Sequence, residues 1–222
     1  MIQTIRPASL SQPRAVIFDF DGTLSLVRTS WMQVMIPMMV EILAALRTGE
    51  SEADLTKVVE DYVWRLTGKE TIYQMIALAA EIERRGGTPL EPVVYKRRYL
   101  DLLSEVIADR IAALREGRCP PERYLVPGSR ALLEDLRARG LTLYLASGTD
   151  EIYMKAEADL LDVSRYFDGG VFGALDDPEL FSKRQLVQRI ITQIDGSQLL
   201  GFGDGFVEIG RASCRERVLC VV

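Results

Sequence analysis

Four short apolar runs restrict the fold of this 222-residue chain more than any other feature. They are rich in β-branched or aromatic residues and lead into Asp, Ser or Gly, as buried parallel strands do. The runs are Ala15–Phe18, Leu141–Ala146, Gly170–Phe172 and Leu199–Phe202. Helical patterns lie between the later runs, at Ser129–Arg139, Asp150–Leu161 and Lys183–Ile194. Alternation of strands and helices predicts an α/β domain with a parallel sheet.

The stretch between the first two runs has a different periodicity. Residues 25–124 carry helical spacing of apolar residues and little that indicates a strand. Four helices are predicted, approximately at Ser30–Arg47, Glu52–Leu66, Glu70–Arg85 and Pro92–Leu114. We therefore predict that residues 1–24 and 125–209 form the α/β core and that residues 25–124 form a helical insertion.

The absence of histidine narrows the possible chemistry. A Ser-His-Asp or Cys-His nucleophile and a His-ligated zinc all need imidazole, and the chain contains none. The 27 basic and 32 acidic residues give a net charge of −5, and no Lys/Arg-rich stretch indicates a nucleic-acid partner. These features favour carboxylate chemistry with a metal, acting on a small molecule.

Location is predicted from apolar patterning and cysteine spacing. No apolar block reaches the roughly 20 residues that span a bilayer, and Met1–Pro13 lacks a signal-peptide pattern. The three cysteines are not spaced for a disulfide framework or a structural zinc site. We expect a cytoplasmic protein that does not bind membranes.

The first apolar run leads into a pair of carboxylates. Asp19 and Asp21 stand two residues apart, followed by Gly22 and Thr23. Open α/β sheets bind ligands at the carboxyl ends of their strands. Such a pair can hold Mg²⁺ while one carboxylate attacks or carries a proton. A bare D-x-D is more often a polar turn, but the apolar run before it and the Gly-Thr after it favour a site.

Three further segments stand at comparable places along the chain. Ser147, Gly148 and Thr149 end the second run, Lys183 begins a helix, and Asp204 with Glu208 follows the fourth run. Each segment by itself is typical of a turn or a helix start. The combination, in this order, is far more specific than any one of its parts.

The four segments together resemble the motifs of the haloacid dehalogenase superfamily, phosphatase branch. The resemblance implies a Rossmann-like, three-layer core with an inserted all-α cap domain. The dehalogenase branch lacks the second Asp and the Gly-Thr pair present here, which favours the phosphatase branch.

The resemblance also implies roles for individual residues. Asp19 would be the nucleophile and Asp21 the acid and base, while Ser147, Gly148 and Lys183 would hold the phosphoryl group. The cofactor implied is Mg²⁺. Its ligands would be Asp19, the backbone carbonyl of Asp21, Asp204 and Glu208, the last through water or in an outer shell.

The inserted helices resemble the family's cap, which closes over the site. Within them, Arg65–Glu70 resembles the cap loop that touches substrate in relatives, so Arg65 and Lys69 are candidate specificity residues. A solvated connection between two helices is an equally good interpretation of this segment.

The end of the chain departs from the family pattern. Residues 210–222 resemble the translation of a common sequencing adapter, and we predict that they are a non-native tail and that the last core strand is missing. Gly210 and three arginines give no apolar stripe for a helix on the sheet. The apolar residues Val218–Val222 could pair with the open edge of the fourth strand.

The leading functional hypothesis is a Mg²⁺-dependent phosphomonoester hydrolase that acts on a small phosphorylated metabolite through an aspartyl-phosphate. One alternative is a sugar phosphomutase of the same superfamily. Another is a truncated or non-catalytic binding protein with the same fold. The sequence makes no prediction of the oligomeric state.

Overall fold

A single parallel sheet organises the molecule. The computed structural model describes residues 12–175, 183–194, 198–203 and 219–221. Its strands are β1 (Ala15–Phe18), β2 (Thr142–Asp150), β3 (Gly170–Ala174), β4 (Leu199–Phe202) and β5 (Leu219–Val221). The strand order is β3-β2-β1-β4-β5 and every pairing is parallel. The central strand is therefore β1, which carries the first carboxylate at its end.

Helices surround the sheet and form the long insertion. The insertion contains α1 (Trp31–Ala44), α2 (Glu52–Arg65), α3 (Thr71–Arg84) and α4 (Pro92–Arg115). The later part of the chain contains α5 (Ser129–Ala138), α6 (Glu151–Leu160) and α7 (Lys183–Ile191), with short 3₁₀ turns at Pro121–Tyr124 and Ser164–Tyr166. No helix in the described parts of the chain is long and apolar enough to cross a membrane.

Alternating side chains of β1 supply two separate cores. Val16 and Phe18 belong to the large apolar cluster that extends into the insertion. Ala15 and Ile17 point to the other side, into a smaller cluster that includes α7. Because successive strand residues face opposite sides of a sheet, a fully apolar strand is what a sheet covered on both faces requires. The result is the predicted three-layer α/β fold.

The chain enters and leaves the insertion at adjacent points. The backbone N–H of Leu26 donates to Tyr124 O at 2.8 Å, and that of Val126 donates to Leu24 O at 2.9 Å. Ser25 and Leu125 form an isolated antiparallel bridge between the same two segments. Both crossings thus lie side by side next to the end of β1.

Most predicted elements are present, with informative differences. Strands β1 and β4 have the predicted bounds, whereas β2 extends to Asp150 with a register shift between Ala146 and Asp150. Ser147, whose segment by itself is typical of a turn, therefore lies in extended backbone. The place where the last core strand was expected to be missing is occupied by β5, whose residues pair with β4 as predicted for the chain end. Residues 210–218 and 222 lie outside the described residues.

Candidate active site

The predicted motifs meet at the carboxyl edge of the sheet. Asp19 follows β1 directly, and its backbone N–H donates to Phe202 O of β4 at 2.8 Å. The parallel register aligns Phe18 with Leu145 of β2 and with Phe202 of β4. Because β1 and β4 end together and β2 continues past them, the residues that follow Phe18, Leu145 and Phe202 converge on one place.

Asp19 and Lys183 form a shielded ion pair. Lys183 is the first residue of α7, and its Nζ lies 2.9 Å from Asp19 Oδ1. The two side chains are only 9% and 10% exposed. The same Oδ1 accepts a hydrogen bond from the backbone N–H of Phe20 at 2.8 Å. Both contacts fall on one oxygen, so within the described structure Oδ2 stays available to another partner.

Asp21 is held by hydroxyl groups from the end of β2. Its Oδ2 accepts hydrogen bonds from Thr149 Oγ1 at 2.7 Å and from Ser147 Oγ at 3.3 Å. Asp21 as a whole is partly exposed, yet Oδ1 is shielded from solvent and has no hydrogen-bond partner among the described residues. Gly22, with φ of 77°, makes the tight turn that brings the carboxyl back to the sheet.

The environment favours the protonated form of this carboxyl. Burial raises the pKa of Asp21 above its ordinary value, and the charge of Asp19 adds to the increase. The Arg28 guanidinium and the hydrogen bonds from Thr149 and Ser147 oppose part of this shift in pKa. A carboxyl with a raised pKa can donate a proton to a leaving group.

A small cavity joins these core residues to the insertion. It has a volume of about 80 Å³. Its core lining includes Asp19, Asp21, Ser147, Gly148, Thr149 and Lys183, and its other wall comprises Arg28, Trp31, Met35, Thr67, Gly68, Lys69, Thr71, Gln74 and Tyr99. Three cationic side chains in one cavity favour an anionic ligand.

Gly148 lies against the backbone of the insertion. A Cβ placed on Gly148 would lie 2.5 Å from the backbone oxygen of Lys69 and 3.2 Å from the backbone nitrogen of Glu70. Glu70 is buried, and its Oε1 accepts a hydrogen bond from the backbone N–H of Lys183 at 3.3 Å. The segment before α3 therefore contacts both β2 and the start of α7.

Arg28 is a site residue that the sequence analysis missed. It is buried, and its guanidinium donates to both carboxylate oxygens of Glu157 on α6, at 2.6 to 3.1 Å. Its guanidinium also lies 5.7 Å from the centre of the Tyr153 ring. The available signal was an arginine among apolar residues just after the first motif. Its partner lies 129 residues away, so the sequence does not reveal the pair.

The remaining predicted site residues lie in different places relative to the cavity. Lys69 lines the cavity, and its Nζ lies 5.4 Å from the centre of the Tyr73 ring. Arg65 does not line the cavity: its side chain is 68% exposed and pairs with Asp61 one helical turn earlier. It is the last residue of α2, and that position directs its side chain to solvent. Asp204 and Glu208 lie outside the described residues.

The donor chemistry of the described site suits a hard cation. Asp19 offers a carboxylate oxygen, Oδ2, that neither the Lys183 ammonium nor the Phe20 N–H contacts, and the backbone carbonyl of Asp21 is another hard oxygen nearby. No group of three or more metal-binding side chains occurs within the described ranges, which exclude both acids that follow β4. The residues present are thus compatible with Mg²⁺ and supply part of a coordination shell.

Comparison with known proteins identifies the family. A family model described as a haloacid dehalogenase-like hydrolase matches residues 13–212. The chain belongs to the haloacid dehalogenase-like hydrolase family. No curated protein matches it significantly in sequence.

Solved structures place this haloacid dehalogenase-like hydrolase among proteins of the same fold. A predicted phosphatase from Clostridium acetobutylicum superimposes with a TM-score of 0.62 and 16% identity, over 95% of this chain and 84% of that chain. A β-phosphoglucomutase from Clostridium difficile gives 0.61 and 15%, over 94% and 83%. A predicted phosphoglycolate phosphatase from Haemophilus somnus gives 0.60 and 14%, over 96% and 85%. At these identities the similarity establishes the fold only.

Proposed function

We propose that this hydrolase is a Mg²⁺-dependent phosphomonoesterase that acts on a small phosphorylated metabolite in the cytoplasm. One observation carries the proposal: Asp19, paired with Lys183, shares a cavity with a second carboxyl whose pKa is raised. A nucleophile, a cation and a proton donor are the groups that phosphoryl transfer requires. The net charge of −5 supports a small-molecule substrate over a nucleic acid.

In the first half of the reaction, an oxygen of Asp19 attacks phosphorus in line with the ester bond. The P–O bond to the alcohol breaks, and Asp21 gives its proton to the leaving oxygen. Lys183, Ser147 and Gly148 would hold the phosphoryl oxygens, the first by its charge and the others by hydrogen bonds. The product of this half is an aspartyl-phosphate on Asp19 and a free alcohol.

In the second half, water attacks the same phosphorus. Asp21, now a carboxylate, takes a proton from this water, and the bond between phosphorus and the Asp19 oxygen breaks. Inorganic phosphate leaves, and both carboxyls return to their starting states. Overall, one ester and one water give one alcohol and one phosphate.

Magnesium, when bound, would neutralise charge on the phosphoryl oxygens. Asp19, the backbone carbonyl of Asp21, Asp204 and Glu208 are the residues proposed to hold it. Hard oxygen ligands are the type that Mg²⁺ prefers.

We propose that residues 25–124 act as the cap of this site and that residues 1–24 and 125–209 form the core. Support comes from the cavity, which takes nine of its fifteen lining residues from the insertion. Lys96 of α4 also pairs with Asp150 at the end of β2, with Nζ and Oδ1 2.6 Å apart. A docked insertion excludes water from the aspartyl-phosphate until hydrolysis.

The test is release of 4-nitrophenol and phosphate from 4-nitrophenyl phosphate, with Mg²⁺ and with excess EDTA. We expect turnover only with the metal, and a loss of at least about 10³-fold in kcat for Asp19→Asn, because the nucleophile is removed. Asp61→Asn is the matched control, since Asp61 is exposed on α2 and pairs with Arg65 outside the cavity lining. Turnover in EDTA, or full activity of Asp19→Asn, would contradict the proposal.

Two alternative functions can be distinguished by what the protein converts or binds. A sugar phosphomutase would convert a hexose 1-phosphate to its isomer and release little phosphate. A non-catalytic binding protein would bind phosphate and Mg²⁺ saturably without any turnover.

A further inference from the structure

Gln74 is a buried amide in the wall of the reaction cavity. It lies in the first turn of α3, is only 4% exposed, and lines the cavity together with Thr67 and Thr71. Its Nε2 donates to the backbone oxygen of Leu66 at 3.3 Å. This bond fixes the orientation of the amide, because only the nitrogen can donate to a carbonyl oxygen.

The other end of the amide lacks a partner. Gln74 Oε1 is shielded from solvent and accepts no hydrogen bond from the described residues. Buried polar atoms in native proteins are nearly always hydrogen-bonded, and an unsatisfied one has a free-energy cost. An acceptor left open in the wall of a cavity therefore indicates a donor on the ligand.

The surroundings define the chemistry of that donor. Gln74 belongs to the insertion, whereas the groups proposed to hold phosphate come from the core, so Gln74 faces the alcohol part of a substrate. Trp31 and Met35 give the same wall apolar surface. Lys69 also lines the cavity, and its charge disfavours a second ammonium nearby. A neutral hydroxyl is therefore the type of donor that suits these surroundings.

The placement of Gln74 limits the position of the hydroxyl. Gln74 lines the same cavity as Asp19 and Lys183, the groups proposed to act on the phosphoryl group. A hydroxyl that reaches Gln74 must then lie within a few bonds of the ester oxygen.

We propose that Gln74 Oε1 accepts a hydrogen bond from a hydroxyl group of the alcohol, and that the enzyme therefore selects short hydroxyalkyl phosphates over alkyl phosphates of equal length. This inference rests on the proposed phosphatase function. It adds a specificity-determining residue in the insertion, at a position where the sequence gives no motif.

The experiment compares kcat/KM for propyl phosphate, 2-hydroxypropyl phosphate and 3-hydroxypropyl phosphate. For whichever of the two hydroxypropyl phosphates reacts faster, the wild-type enzyme is expected to have a kcat/KM about 5- to 150-fold higher than for propyl phosphate. This is the range, about 5- to 150-fold, for leaving one buried acceptor unsatisfied. In Gln74→Met, which keeps the volume and removes the acceptor, this preference should fall to about one. Loss of the bond to Leu66 affects all three substrates equally, so it cancels from the ratio.

Gln33→Met is the matched control, because Gln33 is exposed on α1 and should keep the wild-type ratio. Equal wild-type rates for the three esters would overturn the inference without any variant, as would a preference that survives in Gln74→Met. The dissociation constants of the same esters, measured by calorimetry on Asp19→Asn with and without Gln74→Met, give the ratio without turnover. Failure to hydrolyse any ester, including 4-nitrophenyl phosphate, would contradict the phosphatase proposal, while these binding ratios would still decide the role of Gln74.

Discussion

Replacing Gly148 with alanine tests whether close docking of the insertion is needed for catalysis. The new Cβ would lie 2.5 Å from Lys69 O, which is 0.9 Å short of the 3.4 Å at which ordinary contact begins. The obstacle is backbone, with Lys69 C at 3.0 Å and Glu70 N at 3.2 Å, so no side-chain rotation relieves it. The segment before α3 must move away by nearly 1 Å.

The expected effects follow from this displacement. Overpacking of this kind typically costs about 1–3 kcal/mol, offset by roughly 0.4–1 kcal/mol because alanine restricts the unfolded chain. We expect a net loss of about 1–2 kcal/mol in the free energy of unfolding. A shift of 1 Å in a reacting geometry can cost about 10²-fold, so kcat/KM should fall by one to two orders of magnitude.

The assay pairs urea denaturation with steady-state hydrolysis of 4-nitrophenyl phosphate. Gly87→Ala is the control, because a Cβ there would also be crowded, at 2.8 Å from the side chains of both Ile82 and Leu46. Neither neighbour lines the cavity, so stability should fall while kcat/KM stays unchanged. Wild-type kcat/KM in Gly148→Ala, or an equal loss in both variants, would refute the reasoning.

Three further predictions concern stability. Arg28→Met should lower the free energy of unfolding by about 3–5 kcal/mol, because Glu157 keeps a buried charge without its partner, and the double variant with Glu157→Met should recover most of this loss in urea melts. A double variant no more stable than the single one would contradict this. Because the pKa of Asp21 is raised in the folded state, the folded protein binds that proton more tightly, so the free energy of unfolding should fall as pH rises from the ordinary Asp range through the raised value. Asp21→Asn should lack this component, and identical pH profiles for the two proteins would count against it. Ser51→Ala should cost about 1 kcal/mol, since the Ser51 hydroxyl accepts from the N–H of Asp54 at 3.2 Å at the start of α2, and its kinetics should be unchanged.

The parts of the fold that follow from local patterns were predictable. β1 and β4 are continuous apolar runs and have the bounds that the sequence indicates. The extension of β2 to Asp150 was not predictable, because Ser147 and Gly148 favour a turn locally. Pairing with β3 across a register shift overrides that preference.

Candidate residues could be predicted where short motifs carry the chemistry. Asp19 follows a predicted strand and Lys183 begins a predicted helix, and the structure places the two groups 2.9 Å apart. Arg28 was missed because its partner, Glu157, is distant in the chain. Gln74 was missed because its proposed role depends on a side-chain oxygen without a hydrogen-bond partner, which a sequence does not show. The sequence does not show that the side chain of Arg65 is exposed and pairs with Asp61, because a position in a loop between helices does not determine the direction of a side chain.

The adjacent crossings beside β1 have an evolutionary consequence. Because Leu24 and Leu26 hydrogen-bond to the segment through which the chain returns to the core, the insertion begins and ends at one point of the core. Such a module can be lengthened, exchanged or recombined without altering the register of the sheet. The groups proposed to break the phosphate ester and those proposed to choose the alcohol thus lie on opposite sides of a single junction, and selection can change one set while it preserves the other.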